Sequence, residues 1–138
     1  MTKKNENDID IADIPESYER YLDEIYIISR QKKGGWINNK EIAEGLNVKP
    51  ASVSGMFHNL KEKGLIIWSE RKSIRLTEKG KKLAKQLNET HLLLNDFFSK
   101  VLKIDDEVLV DKISCEIEHH INKEVRDSLK NFISDYLK

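Results

Sequence analysis

From Pro15 onward the apolar residues recur at three- and four-residue steps. In "ESYERYLDEIYIISRQ" they fall at Tyr18, Tyr21, Leu22, Ile25, Tyr26 and Ile28, a spacing that lines one face of an α-helix. Pro15 suits the first turn of such a helix, because its missing N–H would be unpaired there anyway. The Gly34-Gly35 pair predicts the end of that helix. A short helix follows in "NNKEIAEGL", opened by an asparagine cap and apolar at Ile42, Ala43 and Leu46. After a turn at 47–49, a third helix begins at Pro50, turns Val53, Met56, Phe57 and Leu60 to one side, and stops at Gly64. Two short helices joined by a tight turn predict a helix-turn-helix.

Past Gly64 the period changes. "LIIWSERKSIRLT" reads as two β-rich runs, Leu65–Trp68 and Ser73–Leu76, around a polar turn with Arg71 and Lys72 at its tip. A two-stranded hairpin after a helix-turn-helix makes a winged helix. Thr77 then caps a long helix with Leu83, Leu87, His91, Leu94, Phe97 and Val101 down one side. Asp105-Asp106 open the next helix, which runs to about His120. The last is capped at Asn122 and is apolar at Val125, Leu129, Phe132, Ile133, Tyr136 and Leu137. The expected fold is therefore mainly α: a flexible arm over 1–14, a winged helix-turn-helix over 15–76, and a connecting helix with a helical pair over 77–138. That pair is too small to bury much core alone. Its apolar face predicts packing against a second copy, a homodimer whose two recognition helices read half-sites about one DNA turn apart.

Composition changes this picture in two places. The net charge is zero, yet residues 36–90 hold eleven Lys/Arg against six Asp/Glu, while 91–138 hold seven against ten and 1–35 six against eight. A basic middle third between acidic flanks predicts a surface for phosphate beside a region that attracts cations. The single cysteine excludes an internal disulfide and fits a reducing cytoplasm. No apolar run approaches the ~20 residues that span a bilayer, and no secretory signal opens the chain. We expect a cytoplasmic protein without a membrane partner.

The candidate DNA-reading surface lies on the helix that starts at Pro50. Ala51, Ser52, Ser54, Gly55, His58 and Asn59 fall between or opposite its apolar positions. Small polar residues near a helix N-terminus can approach bases and phosphates closely. Lys49 flanks the helix, and Arg71 and Lys72 extend the positive surface along the wing. No Arg, Gln or Asn occupies an unambiguous bidentate position on the first two turns, so phosphate contacts and duplex shape carry weight in recognition.

The densest chemistry in the chain is "CEIEHH" at 115–120, in a sequence with one cysteine and four histidines. Cys115, Glu118 and His119 stand at i, i+3 and i+4, on one helical face. They would supply a soft sulfur, an anionic oxygen and an imidazole, a set suited to Fe(II), Co(II), Ni(II) or Zn(II), and less to Mn(II). His91 on the preceding helix is placed to join them. Taken alone, the spacing is equally compatible with a satisfied core histidine. Glu116 and His120 point off that face by helical geometry. A nucleophilic Cys115 assisted by His119 lacks a Gly-rich turn to stabilise an oxyanion and a third orienting group, so no enzyme is expected.

With "YLDEIYII", "EIAEGLNVKPASVSGMFHNLKEKGLI", "LTEKGKKLAKQLNETHLLLNDFF" and "CEIEHHI", the chain resembles the diphtheria toxin repressor / manganese transport regulator family of metal-dependent repressors. The match covers nearly all of 17–121 in family order and implies the short form, without an SH3-like domain. It implies a repressor of iron or manganese homeostasis genes, with a divalent cation as co-repressor (Fe(II) favoured, Mn(II) next) and double-stranded operator DNA as partner. By position, it implies metal ligands at Asp23, His91, Cys115, Glu118 and His119. Cys115 stands where iron-type members carry cysteine and manganese-type members glutamate. Arg20 departs from the pattern, occupying a first-helix position where the family has a methionine or aspartate ligand. A guanidinium is never a ligand. Arg20 either pairs with Glu16, Asp23 or Glu118 and fills the space of a second cation, or swings to solvent while Glu16 or Glu19 takes its place. Asn95 and Asp111 stand where iron-type members usually have a carboxylate and a histidine, a weak secondary set. A metal-independent winged-helix regulator is the competing reading.

Overall fold

The computed structural model describes residues 10–69 and 73–138. Helix α1 (Glu16–Ser29) follows Pro15. It ends before the glycine pair, which sits instead in a following tight turn (Lys33–Gly35) with Gly34 and Gly35 at φ +82° and +71°. Strand β1 (Ile37–Asn38) leads into α2 (Asn39–Leu46), where Asn38 and Glu41 form a reciprocal capping box. Asn47, at φ 55°, terminates α2 in the left-handed region, which asparagine tolerates better than most residues. Helix α3 (Pro50–Glu62) and strands β2 (Ile66–Trp68) and β3 (Ser73–Leu76) complete the winged helix.

The sheet has three strands, not the two expected. Its order is β1-β3-β2, antiparallel throughout, with Ile37 opposite Ile74 and Ile66 opposite Leu76. A two-residue strand is too short to show alternation, so the sequence pattern could not announce β1.

Helix α4 (Glu78–Asp96) starts at the Thr77 cap and ends in a wider turn, Phe97–Val101, with π-type hydrogen bonding. The junction with the sheet is tight. Thr77 Oγ1 donates to the Gly64 carbonyl at 2.6 Å and accepts from the Gly80 N–H at 3.1 Å. A Cβ on Gly80 would lie 2.2 Å from the Leu65 carbonyl oxygen, so only glycine permits this approach. Helix α5 (Glu107–Ile117) leads through a 3-10 turn (Glu118–His120) to α6 (Lys123–Tyr136).

One core unites α1, α2, α3, the sheet and the first half of α4. Leu22, Ile25, Ile42, Val53, Phe57, Leu60 and Ile74 are fully buried there beside Leu83, Ala84 and Leu87. The C-terminal helices bury far less: Leu94, Val110 and Ile133 are inside, whereas Leu102, Val108, Phe132 and Tyr136 are exposed. Phe132 stacks on Tyr136 and lies edge-on to Phe97, an aromatic face without cover in a single chain.

The expected flexible arm over 1–14 does not extend through its last residues. Ile11 is fully buried in the common core, and its N–H donates to Gln86 Oε1 on α4 at 3.0 Å. Asp10 accepts the backbone N–H of Lys123, at the start of α6, and lies 3.8 Å from the buried Arg126 guanidinium. Polar composition around Ile11 and Ile14 hid a segment that docks through Ile11, with Ile14 packed against the same core, and through the Asp10 carboxylate. Residues 1–9 lie outside the described residues.

Candidate metal centre and DNA-facing helix

Three of the expected ligands converge. His91 projects from α4, Cys115 from the end of α5 and Glu118 from the 3-10 turn, and one donor atom from each lies within 4.8 Å of the others. Helical geometry explains the pair from α5: positions i and i+3 share a face, and the tighter turn after Ile117 swings Glu118 inward, where it is 5% exposed. His91 Nδ1 sits 2.7 Å from Glu118 Oε2 and 3.7 Å from Cys115 Sγ, while Nε2 is 2.8 Å from Asp111 Oδ1. The imidazole is bracketed by two carboxylates.

The other two expected ligands lie alongside this cluster rather than in it. Asp23 on α1, Cys115, Glu118 and His119 line a cleft of about 210 Å³, with Glu16, Arg20 and Glu24 at its rim. His119 Nδ1 bonds to Glu19 Oε2, and its Nε2 is 3.9 Å from Glu118 Oε1. Glu19 is fully buried, and its Oε1 has no partner among the described residues. Arg20 is exposed and makes no ion pair with Glu16, Asp23 or Glu118. Arg20 therefore lines the cleft without the ion pairs of the first arrangement weighed for it, and Glu19 is turned inward onto His119. Glu116 is exposed at the border of the cleft and outside the His91, Cys115 and Glu118 cluster. His120 is exposed.

The electrostatics are those of a site short of positive charge. Glu118 holds the His91 imidazolium up to about 9, against the opposing effect of burial and with help from Asp111. Burial and then the nearby Glu118 charge push Asp23 up to about 6. The Cys115 thiol is raised to about 11, first by desolvation at the cleft wall and then by Glu118, Asp111 and Asp23. Burial raises the Glu19 carboxyl, while the Glu19 contact raises His119. Each shift follows from crowding carboxylates and a thiol in a partly dry place, and a divalent cation would reverse all of them. The nitrogen, sulfur and oxygen donors, the unpaired Glu19 oxygen and the excess of carboxylates fit a transition-metal ion. Sequence reasoning named Glu19 only as a substitute for Arg20 and Asp111 only in a weak secondary set; it missed the Glu19–His119 and Asp111–His91 contacts. Asp111 was within reach of the pattern, one turn before Cys115 on the same helical face.

Lys49 at the N-cap of α3, and Ala51, Ser52, Gly55, His58 and Asn59 on it, are exposed. His58 lies against Trp68 with ring centroids 4.7 Å apart. Ser54 is turned inward: its hydroxyl accepts from Asn39 Nδ2 at 2.8 Å and donates to the Pro50 carbonyl at 3.2 Å, so it braces α2 against α3. No heavy atom comes within 4 Å of a Cβ built on Gly55. A mid-helix glycine costs about 1 kcal/mol relative to alanine, and nothing inside the protein demands it. Arg71 and Lys72 lie outside the described residues.

Comparison with known proteins follows the same division. Residues 13–74 match the family model described as iron dependent repressor, N-terminal DNA binding domain. Residues 77–137 match its companion, iron dependent repressor, metal binding and dimerisation domain. The chain is 33% identical over 117 residues to the HTH-type transcriptional regulator MntR of Shouchella clausii, covering 85% of this chain and 79% of that one. It is 30% identical over 121 residues to an uncharacterised HTH-type transcriptional regulator of Methanocaldococcus jannaschii, covering 88% and 95%. Among solved structures, the manganese regulator SloR is similar with a TM-score of 0.68 at 30% identity, over 85% of this chain and 53% of that chain. ScaR with bound Zn2+ gives a TM-score of 0.72 at 27% identity, over 85% and 53%. This chain therefore spans about half the length of those two structures.

Proposed function

This chain belongs to the diphtheria toxin repressor / manganese transport regulator family of metal-dependent transcriptional regulators, and on that premise we propose that it is a cytoplasmic repressor of iron or manganese homeostasis genes whose ion sits among His91, Cys115 and Glu118. The observation that carries the proposal is the convergence of those three donors within 4.8 Å. Asp23 and His119 complete the set from the adjoining cleft. A bound ion would supply positive charge between the reading and pairing halves of the chain. Asp23 belongs to α1 of the reader, and His91 to the far half of α4. Burial and then the Glu118 charge raise the Asp23 carboxyl, and the repulsion between the two carboxylates is then the force that leaves the reader loosely placed. Relieving it narrows the reader's orientations to those matching a two-fold operator. Moving such an equilibrium from 1:99 to 99:1 takes about 5.5 kcal/mol of differential binding.

Arg20 at the rim and the Glu19–His119 bond favour one metal per chain. The Cys115 sulfur favours Fe(II) first. Mn(II) comes next, on the names of the MntR relatives. Lys49, Ala51, Ser52, Gly55, His58 and Asn59 face double-stranded DNA, and Arg71 and Lys72, outside the described residues, are proposed from the sequence as further DNA contacts. The exposed face around Val108, Phe132 and Tyr136 meets a second copy, where each large apolar side chain contributes about 1.5–3 kcal/mol on burial.

The test is a gel shift of the metal-free dimer on DNA from upstream of its own gene, with EDTA and with each divalent ion in turn. Binding restored by Fe(II) or Mn(II) and abolished by chelator is expected. Chelator-insensitive binding would instead establish a metal-independent winged-helix regulator.

A further inference from the structure

A second cleft lies on the winged helix and shares no residue with the acidic one. It holds about 340 Å³ between the C-terminal turn of α1, the glycine turn, β3 and the start of α4, which is within the size range of small-ligand pockets. Arg30, Arg75 and Lys81 converge on it, and no carboxylate lines it. The Arg30 guanidinium lies over the Tyr26 ring at 5.4 Å, and that of Arg75 over Trp36 at 4.8 Å. Neither makes an ion pair among the described residues. Lys81 has only a 3.5 Å pair with the exposed Glu78.

Two features make this arrangement unfavourable without an anion. Three like charges share one concave surface, where field lines concentrate. Lys81 also stands in the first turns of a 19-residue helix, the end whose dipole repels cations and attracts anions. Stacking on Tyr26 and Trp36 fixes the two guanidiniums while leaving their edge N–H groups free to bind oxyanions in a forked geometry. Gly35 lines the cleft as well, and a Cβ there would lie in ordinary contact with the Arg75 stem, 3.7 Å from Cγ.

We propose that this cleft is a binding site for a phosphate-type oxyanion, held by Arg30, Arg75 and Lys81. The phosphate has two possible sources: a free small molecule, or the backbone of bound DNA. Inorganic pyrophosphate is titrated into the full-length, metal-free protein in EDTA, with chloride matched for ionic strength. Calorimetry gives affinity, and the indole N–H resonance of Trp36 gives location. Saturable binding that shifts Trp36 and weakens roughly tenfold in each of Arg30→Gln, Arg75→Gln and Lys81→Gln is expected, one charge-assisted contact being lost each time. Arg30 and Lys81 are exposed, so their variants remain informative even if Arg75→Gln perturbs the sheet. A second arm measures affinity for non-specific duplex DNA against salt. If that salt dependence is unchanged in the variants, the source is a small phosphorylated molecule. If its slope falls by roughly one per charge removed, with or without pyrophosphate binding, the source is a DNA phosphate. Pyrophosphate binding indifferent to all three substitutions, or no binding together with an unchanged salt slope, overturns the proposal.

Discussion

Replacing Ile11 by alanine separates two physical pictures of the N-terminal segment. Ile11 is fully buried against the common core, one residue from the carboxylate that caps α6. Alanine removes about three methylene equivalents at ~0.8 kcal/mol each, and incomplete collapse of the cavity adds to that, giving roughly 3 kcal/mol. A residue in a mobile arm would change stability by less than about 0.5 kcal/mol. Urea unfolding followed by far-ultraviolet circular dichroism, at one fixed protomer concentration, distinguishes them. The midpoint is expected to fall with the slope unchanged. Asp10→Ala is expected to cost about 3 kcal/mol. It removes a helix cap and leaves Arg126, 4% exposed, with only Thr90 and the Ile121 carbonyl at 3.5 Å. A midpoint for Ile11→Ala within error of the parent would refute the docking of this segment and its role in tying α1 to α4 and α6.

Three further outcomes are expected. Gly55→Ala should stabilise the fold by about 0.5–1 kcal/mol, because a Cβ there meets open space. It should nonetheless weaken DNA binding, as thermal unfolding and gel shift on the same sample would show; unimpaired DNA affinity would remove Gly55 from the interface. Gly80→Ala should destabilise by more than about 2 kcal/mol, since its Cβ meets the Leu65 carbonyl at 2.2 Å, and denaturant unfolding would read this directly. Cys115→Glu should move the order of activating ions toward Mn(II), as a carboxylate replaces a soft donor; an unchanged ranking in the ion-dependent gel shift would take Cys115 out of the selectivity argument.

The helices of this protein were readable because their apolar residues repeat at helical spacing over many turns, as from Tyr18 to Ile28 and from Leu83 to Leu94. The caps at Asn38, Thr77 and Asn122 were readable because their side chains act locally, on N–H groups two or three residues on. Contacts made across the chain left weaker traces. Strand β1 exists because β3 offers it an edge, and two residues carry no period. Ile11 is buried because α4 and α6 leave a slot for it. Glu19 resembles any charged residue on a solvated helix until the 3-10 turn after α5 brings His119 against it, a hundred residues along the chain. Ser54 shows the converse: a polar residue on the recognition helix, plausible for DNA, spends its hydroxyl on Asn39 and Pro50. At the centre itself, the common face of Cys115 and Glu118 was legible from spacing and His91 was a candidate from its place on the preceding helix, whereas Asp23 followed only from the family resemblance.

The chain has a single cysteine, so thiolate coordination has only one possible origin. Titrating Co(II) into the metal-free protein and recording the near-ultraviolet sulfur-to-cobalt charge-transfer band tests the centre without reference to DNA. A band saturating at one equivalent per chain, absent in Cys115→Ser and weakened in His91→Ala, is the predicted result. Co(II) binding with no sulfur band, or a band indifferent to His91, would contradict an ion held among His91, Cys115 and Glu118.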